Sequence, residues 1–176
     1  MAPIRTTRGR KALQKPRWID GTPLGFEVPK PIVCELDPNY PGTPKALYHA
    51  EPIPVMNDEL AAALAAAGVD NLELFDAVLV DPETGKAHRN YKAFNIVGKI
   101  AAADMEKSKR MGVSDRKMIS ADFDSLDIDE SRAVGGRIFR LAENVTAIVV
   151  DEQVKREVES RGIEGIFFYP SGEWSG

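Results

Sequence analysis

The sequence predicts an α+β fold: one domain built on a mixed or mainly antiparallel sheet with two main helices. Three observations carry that expectation. Residues 91–100 have strand spacing, with Phe94, Ile96, Gly98 and Ile100 on one face and Tyr91, Ala93, Asn95 and Val97 on the other. Both faces are largely apolar, which suits an interior strand covered on each side. Helix signals occur at about 57–67 and 151–161, and they interleave with strand signals without the regular alternation of a wound α/β sheet. Ten of the twelve prolines lie in residues 1–54, and each removes a backbone donor and fixes φ, so long helices are excluded there.

A chain of 176 residues buries roughly 70% of its unfolded surface, enough for one self-sufficient core. Its charge is unevenly placed. Residues 1–17 hold Arg5, Arg8, Arg10, Lys11, Lys15 and Arg17 and no acid, which leaves 17 basic against 27 acidic residues in the remainder. The expected organisation is a basic, disordered arm over 1–16 and a single acidic domain over 17–176. Six scattered charges with no interleaved aromatics favour a plain tail over a nucleic-acid-binding arm. The single cysteine, Cys34, rules out an intramolecular disulfide and points to a reducing, cytoplasmic setting. No apolar run approaches the roughly 20 residues of a membrane span, and no apolar h-region follows the basic start.

From Trp18 to Pro54, short extended pieces are expected at Ile32–Leu36 and Ala46–His49, with turns at 20–23 and 39–42. The first helix spans Asn57–Ala67. Asn57 suits the N-cap, Asp58 and Glu59 favour the positive end of the dipole, and Gly68 stands where a C′ glycine belongs. Leu60, Ala63, Leu64 and Ala67 give it a narrow face that can lie close on a sheet. Leu72–Val80 reads as a strand and Asp81–Gly85 as a turn, so 72–100 is expected to be a long hairpin. Residues 109–120 carry no clear period. Strands are then expected at 119–128, Arg137–Leu141 and Thr146–Val150, with a turn region over Ser131–Gly136. Asp151 caps the second helix, whose buried stripe is Val150, Val154 and Val158, and Gly162 stops it. Gly165–Tyr169 reads as a last strand.

The residues show no catalytic machinery. His49 and His88 have no second ligand at helical spacing, and Cys34 lies in the apolar run Ile32–Leu36 as a buried structural thiol does. No phosphate loop, dinucleotide fingerprint or serine-nucleophile elbow is present. One constellation stands out: Asp122, Asp124, Asp127, Asp129 and Glu130 place five carboxylates in nine residues, separated by Phe123, Leu126 and Ile128. A calcium loop counted from Asp122 would need glycine at position 127 and glutamate at position 133, which are Asp127 and Ala133. The run is either a solvated strand face or an acidic docking surface for a basic partner.

Several segments, taken together, resemble the polymorphic-toxin immunity protein family numbered eleven, formerly a domain of unknown function. They are Trp18–Leu24, the helix at 57–67, Tyr91–Val97 running into Ala103–Ser108, Ile138–Leu141, Ala147–Asp151 and Gly162–Phe168. The similarity covers roughly residues 18–170. It implies a protein that binds and neutralises a toxin, and it supplies neither catalytic residues nor a cofactor. Under this expectation the partner is a cognate toxin, conceivably a basic nuclease, contacted through the acids of 122–130. The alternative is a small hydrolase or metal-dependent enzyme with a site assembled from distant residues such as His88, Asp104 and Asp122.

Overall fold

A computed structural model describes residues 4–6, 18–39, 43–49, 53–110 and 121–176. In chain order the elements are β1 (Ile4–Thr6), β2 (Ile32–Leu36), β3 (Leu47–Tyr48), β4 (Val55–Asn57), α1 (Asp58–Ala66), β5 (Leu72–Val80), β6 (Ala87–Ile96), β7 (Lys99–Ile100), β8 (Lys109–Arg110), β9 (Phe123–Ser125), β10 (Ile138–Leu141), β11 (Ile148–Val150) and α2 (Glu152–Ser160). Six strands form a mixed sheet in the order β1-β2-β5-β6-β4-β3. Among the described residues its one parallel pair is β2 with β5. A second sheet, β11-β10-β7, is antiparallel on one side of β10 and parallel on the other. β8 and β9 form a separate antiparallel pair.

The hairpin β5–β6 is the spine. Asp81 closes its turn by accepting from the backbone N–H groups of Glu83 and Thr84 and from the Thr84 hydroxyl. Alternation along β6 sends Tyr91 and Ala93 to one face, with Ile32, Cys34, Leu79 and Trp18. Phe94 and Ile96 go to the other, with Leu60, Leu64, Val154 and Val158 from the two helices. The strand is therefore buried on both sides, as its composition predicts. Trp18 closes the first face, 1% exposed and edge-on to Phe75 with ring centroids 5.4 Å apart.

Both helices begin where their caps demand. The Asn57 carboxamide oxygen accepts from Leu60 N at 2.8 Å, and the Asp151 carboxylate accepts from Val154 N at 2.8 Å. Ala63 and Ala67 are fully covered, so the small face of α1 does lie close on the sheet.

Four expectations need correction. The strand over 91–100 ends at Ile96, and Lys99–Ile100 belongs to the second sheet. The break is at Gly98, whose φ of 145° lies outside what a side chain tolerates easily. Its N–H donates to Gly21 O at 2.9 Å, and its carbonyl accepts from Arg140 N at 3.0 Å. The Asn71 carboxamide fixes the same joint by donating to Val97 O and Ile138 O, both at 2.9 Å. Second, the strand over 119–128 shortens to Phe123–Ser125, continued by single bridges at Leu126 and Ile128, and residues 119–120 lie outside the described residues. Third, 165–169 joins no ladder among the described residues. Fourth, Ile4–Thr6 falls inside the expected arm yet pairs antiparallel with Cys34–Leu36. The rest of that arm, and residues 40–42 of the turn over 39–42, lie outside the described residues.

Candidate partner-binding face

The acidic run is the middle strand of an irregular ribbon. On one side Asp104 N donates to Asp127 O and Asp129 N to Ala102 O, both at 2.8 Å. On the other, the C-terminal segment runs alongside it: Leu126 N donates to Trp174 O at 3.0 Å, Gly172 N to Leu126 O at 2.7 Å, and Phe123 and Gly176 exchange both backbone bonds. Phe123 and Leu126 are buried with Ala103, Phe139 and Leu141 in a third apolar cluster. That inward packing leaves Asp124, between them, turned outward, while the three-residue step from Phe123 to Leu126 breaks the strict alternation of a strand.

The five acids are not equivalent. Asp122, Asp124 and Glu130 are exposed and, among the described residues, make no ion pair. Asp127 is half-buried. Its backbone is held by Ser108, whose hydroxyl accepts from Asp127 N at 2.9 Å and donates to Asp127 O at 3.2 Å, and its carboxylate lies against Gly172. Asp129 is drawn into its own turn, where it accepts from the Ser131 hydroxyl at 2.6 Å and meets Arg132 Nε at 3.0 Å. The Ser131 hydroxyl bond is the main cause holding its carboxyl below the usual range.

Asp104 adjoins this group. Its carboxylate accepts from the backbone of Glu106 and Lys107 and pairs with Lys107 Nζ at 2.9 Å, and the Lys107 bond holds the acid low. Lys107 is thus a cation beside Asp104, and more weakly beside Asp127 and Asp129, which raises its own pKa. Among the described residues Asp122, Asp124 and Glu130 form no ion pair, although Lys109 and Arg110 stand on the neighbouring strand β8.

The structure does not gather His88, Asp104 and Asp122 into one site. His88 lies on β6 opposite Leu79, near the hairpin-turn residue Asp81, whose carboxyl it is the least of several groups to hold low. Asp104 is committed to Lys107, and Asp122 stands on the acidic strand. Among the described residues no three His, Cys, Asp or Glu side chains come together as a metal site would need. Two surface depressions, of about 370 and 690 Å³, flank β5; the first is lined by Lys30, Asp76 and Arg89 and the second by Phe26, Val28 and Phe75. Neither includes any of those candidates. Among the described residues no helix is long and apolar enough to cross a membrane.

Two features escaped the sequence reading. Phe167 and Tyr169, expected inside a strand, are 79% and 60% exposed. Arg140, in the middle of β10, is fully buried: Nη1 donates to Val145 O at 3.2 Å and Thr146 O at 3.5 Å, while Nε and Nη2 have no acceptor. Burial pushes its pKa down to about 10. Only the position in the strand, on the same side as Ile138, hints at this, because arginine reads as a surface residue from composition.

A family model described as an immunity protein family (Imm11) matches residues 4–173, which takes in both β1 and most of the C-terminal segment beside the acidic strand. No curated protein matches the chain.

Proposed function

The chain belongs to the Imm11 immunity protein family, and on that premise we propose that it binds a cognate toxin in the cytoplasm and neutralises it stoichiometrically, without catalysis of its own. The observation that carries this reading is the extent of the match, which takes in residues 4–173 of the 176. The exposed acids that form no ion pair among the described residues support the mode of binding. Asp122, Asp124 and Glu130 stand outward beside half-buried Asp127 and Asp129 on a strand whose inner side is anchored in the core. A partner with a basic surface, such as a nuclease that must itself approach nucleic acid, would be steered to this face. Complementary charge of this kind raises association rates and fixes the docking register more than it adds affinity.

The test is co-expression of this protein with the toxin encoded beside it. The expected result is survival of cells that the toxin alone kills, and a one-to-one complex on purification. Absence of both protection and complex would remove the immunity reading. Changing Asp122, Asp124 and Glu130 together to lysine is expected to slow association by about tenfold at low salt and to flatten its salt dependence. Unchanged association would take this face out of the account while leaving the family function intact. Asp127 and Asp129 are left alone in this variant because their bonds to Ser108, Ser131 and Arg132 are structural.

A further inference from the structure

The segment after α2 has the composition of a strand and, among the described residues, no strand beside it. Ile166-Phe-Phe-Tyr169 consists of β-branched and aromatic residues, the types that favour a pleated, half-buried surface. Its side chains alternate as a strand's do: Ile166 and Phe168 pack against the helix-side core, and Phe167 and Tyr169 face solvent. Among the described residues, no backbone N–H or C=O of these four residues finds a partner. Singly exposed apolar residues are ordinary on a protein surface. Two aromatics on one side of a backbone with open hydrogen-bonding groups are a different object, the template to which another chain adds a strand.

The geometry points to Ile166–Tyr169 as a strand-addition site for an extended basic segment of the toxin, with Phe167 and Tyr169 as its aromatic anchors. This rests on the toxin-binding reading above. Charge complementarity selects the occupant. Glu164 and Glu173 are exposed on either side of the segment. Two residues beyond Tyr169 the chain joins the acidic strand, where the Ser171 hydroxyl accepts from Ile128 N at 2.8 Å. A segment alternating Lys or Arg with apolar residues would pair its backbone with 166–169. Its cations would lie over the two rings and toward the acids. A second copy of this chain would bring the same acids against themselves. The site is also short: Gly165, at φ 81°, precedes it, and Pro170, which has no N–H, follows it. Such brevity is how a free edge avoids indiscriminate pairing.

Amide hydrogen exchange on the free protein and on its complex with the toxin encoded beside it tests this. The amides of 166–169 are expected to exchange rapidly in the free protein and to be protected in the complex. The double variant Phe167→Ala, Tyr169→Ala is expected to bind at least 100-fold more weakly, mainly through faster dissociation, because aromatic anchors act on the bound state. Both side chains are exposed, so the variant's unfolding midpoint should match that of the wild type. A wild-type complex of full affinity in which 166–169 stay unprotected would overturn the site and leave the immunity reading standing. Protection that appears in the free protein and grows with its concentration would assign the edge to a second copy and overturn the toxin as occupant. Failure of the wild type to bind the toxin at all would overturn both.

Discussion

Replacing Arg140 with methionine is expected to leave the protein at least as stable, although the substitution removes a fully buried charged side chain. The guanidinium makes one bond of useful length, Nη1 to Val145 O at 3.2 Å, and a second to Thr146 O at 3.5 Å that is at the limit of a hydrogen bond. Losing a hydrogen bond to a charged group costs about 1.5–3 kcal/mol. On the other side stands a cation held out of water with, among the described residues, Nε and Nη2 unpaired and no ion pair to a carboxylate, a burden of several kcal/mol per ion. Methionine has comparable reach, is apolar, and adapts to irregular gaps. The balance favours the variant by about 1–3 kcal/mol, the range in which buried ionic groups yield to apolar ones. For a chain of this length each kcal/mol moves Tm by about 2–4 °C. Urea and thermal unfolding followed by circular dichroism read this directly. A loss of about 1 kcal/mol or more would refute the reasoning and make the bond to the 145–146 carbonyls the dominant role of Arg140.

A companion measurement uses His49. Burial of part of its ring, and then the charge of Arg140, hold it below the ordinary imidazole value, although its surface is still open to solvent. Because the folded value is the lower one, the unfolded chain takes up the proton first, and this contribution to stability is lost as pH falls through about 6.5. Arg140→Met should raise the His49 midpoint in an NMR titration.

Two further substitutions probe the polar framework. Asp151→Ala removes both the cap on Val154 N and the 3.0 Å pair with Arg137, and should cost about 1–2 kcal/mol in urea unfolding. Asp151→Asn, which keeps the cap, should recover all but about 0.5 kcal/mol, since a half-exposed pair contributes little; equal losses in both variants would contradict the cap. Asn95 is fully buried and donates to Thr22 O at 2.8 Å and Glu73 Oε2 at 2.7 Å. Asn95→Asp sets a second carboxylate against Glu73, and on the order of 3–5 kcal/mol should be lost at pH 7.5. Burial and Glu73 raise the new carboxyl's folded pKa above its unfolded value, so the deficit should shrink at pH 5, and a deficit independent of pH would disprove the contact.

What the sequence made legible is what local chemistry decides. Asn57, Asp151, Gly68 and Gly162 mark both helices within a residue or two, because capping is a property of neighbouring side chains. The hairpin turn at Asp81–Gly85 is of the same kind, and the two apolar faces of 91–96 announce an interior strand. Tertiary partnership is not written locally. The alternation through Gly98 to Ile100 records that those side chains are buried, but it is silent on which sheet buries them. Ile166–Tyr169 has every local mark of a strand, and only the absence of a neighbour separates it from one. Ile4–Thr6 is hidden for the opposite reason, since the basic residues around it mask three residues that an open edge of β2 can still recruit. The acidic face was visible as composition. Which acids are held by neighbours depends on Ser108, Lys107, Ser131 and Arg132, and on how the chain folds them back.

The joint at Gly98 has a thermodynamic consequence. Its amide is satisfied by the segment that covers the large sheet, its carbonyl by the centre of the small one, and the Asn71 carboxamide spans both. The small sheet shares the cluster that anchors the acidic strand, so the two sheets cannot open separately without stranding buried polar groups. Global opening then becomes the lowest route by which their core amides meet solvent. A toxin occupying the acidic end at 100 times its Kd would stabilise the folded chain by about 2.7 kcal/mol. On the reading that the toxin docks at the acidic end, that gain would reach as far as the β5–β6 hairpin.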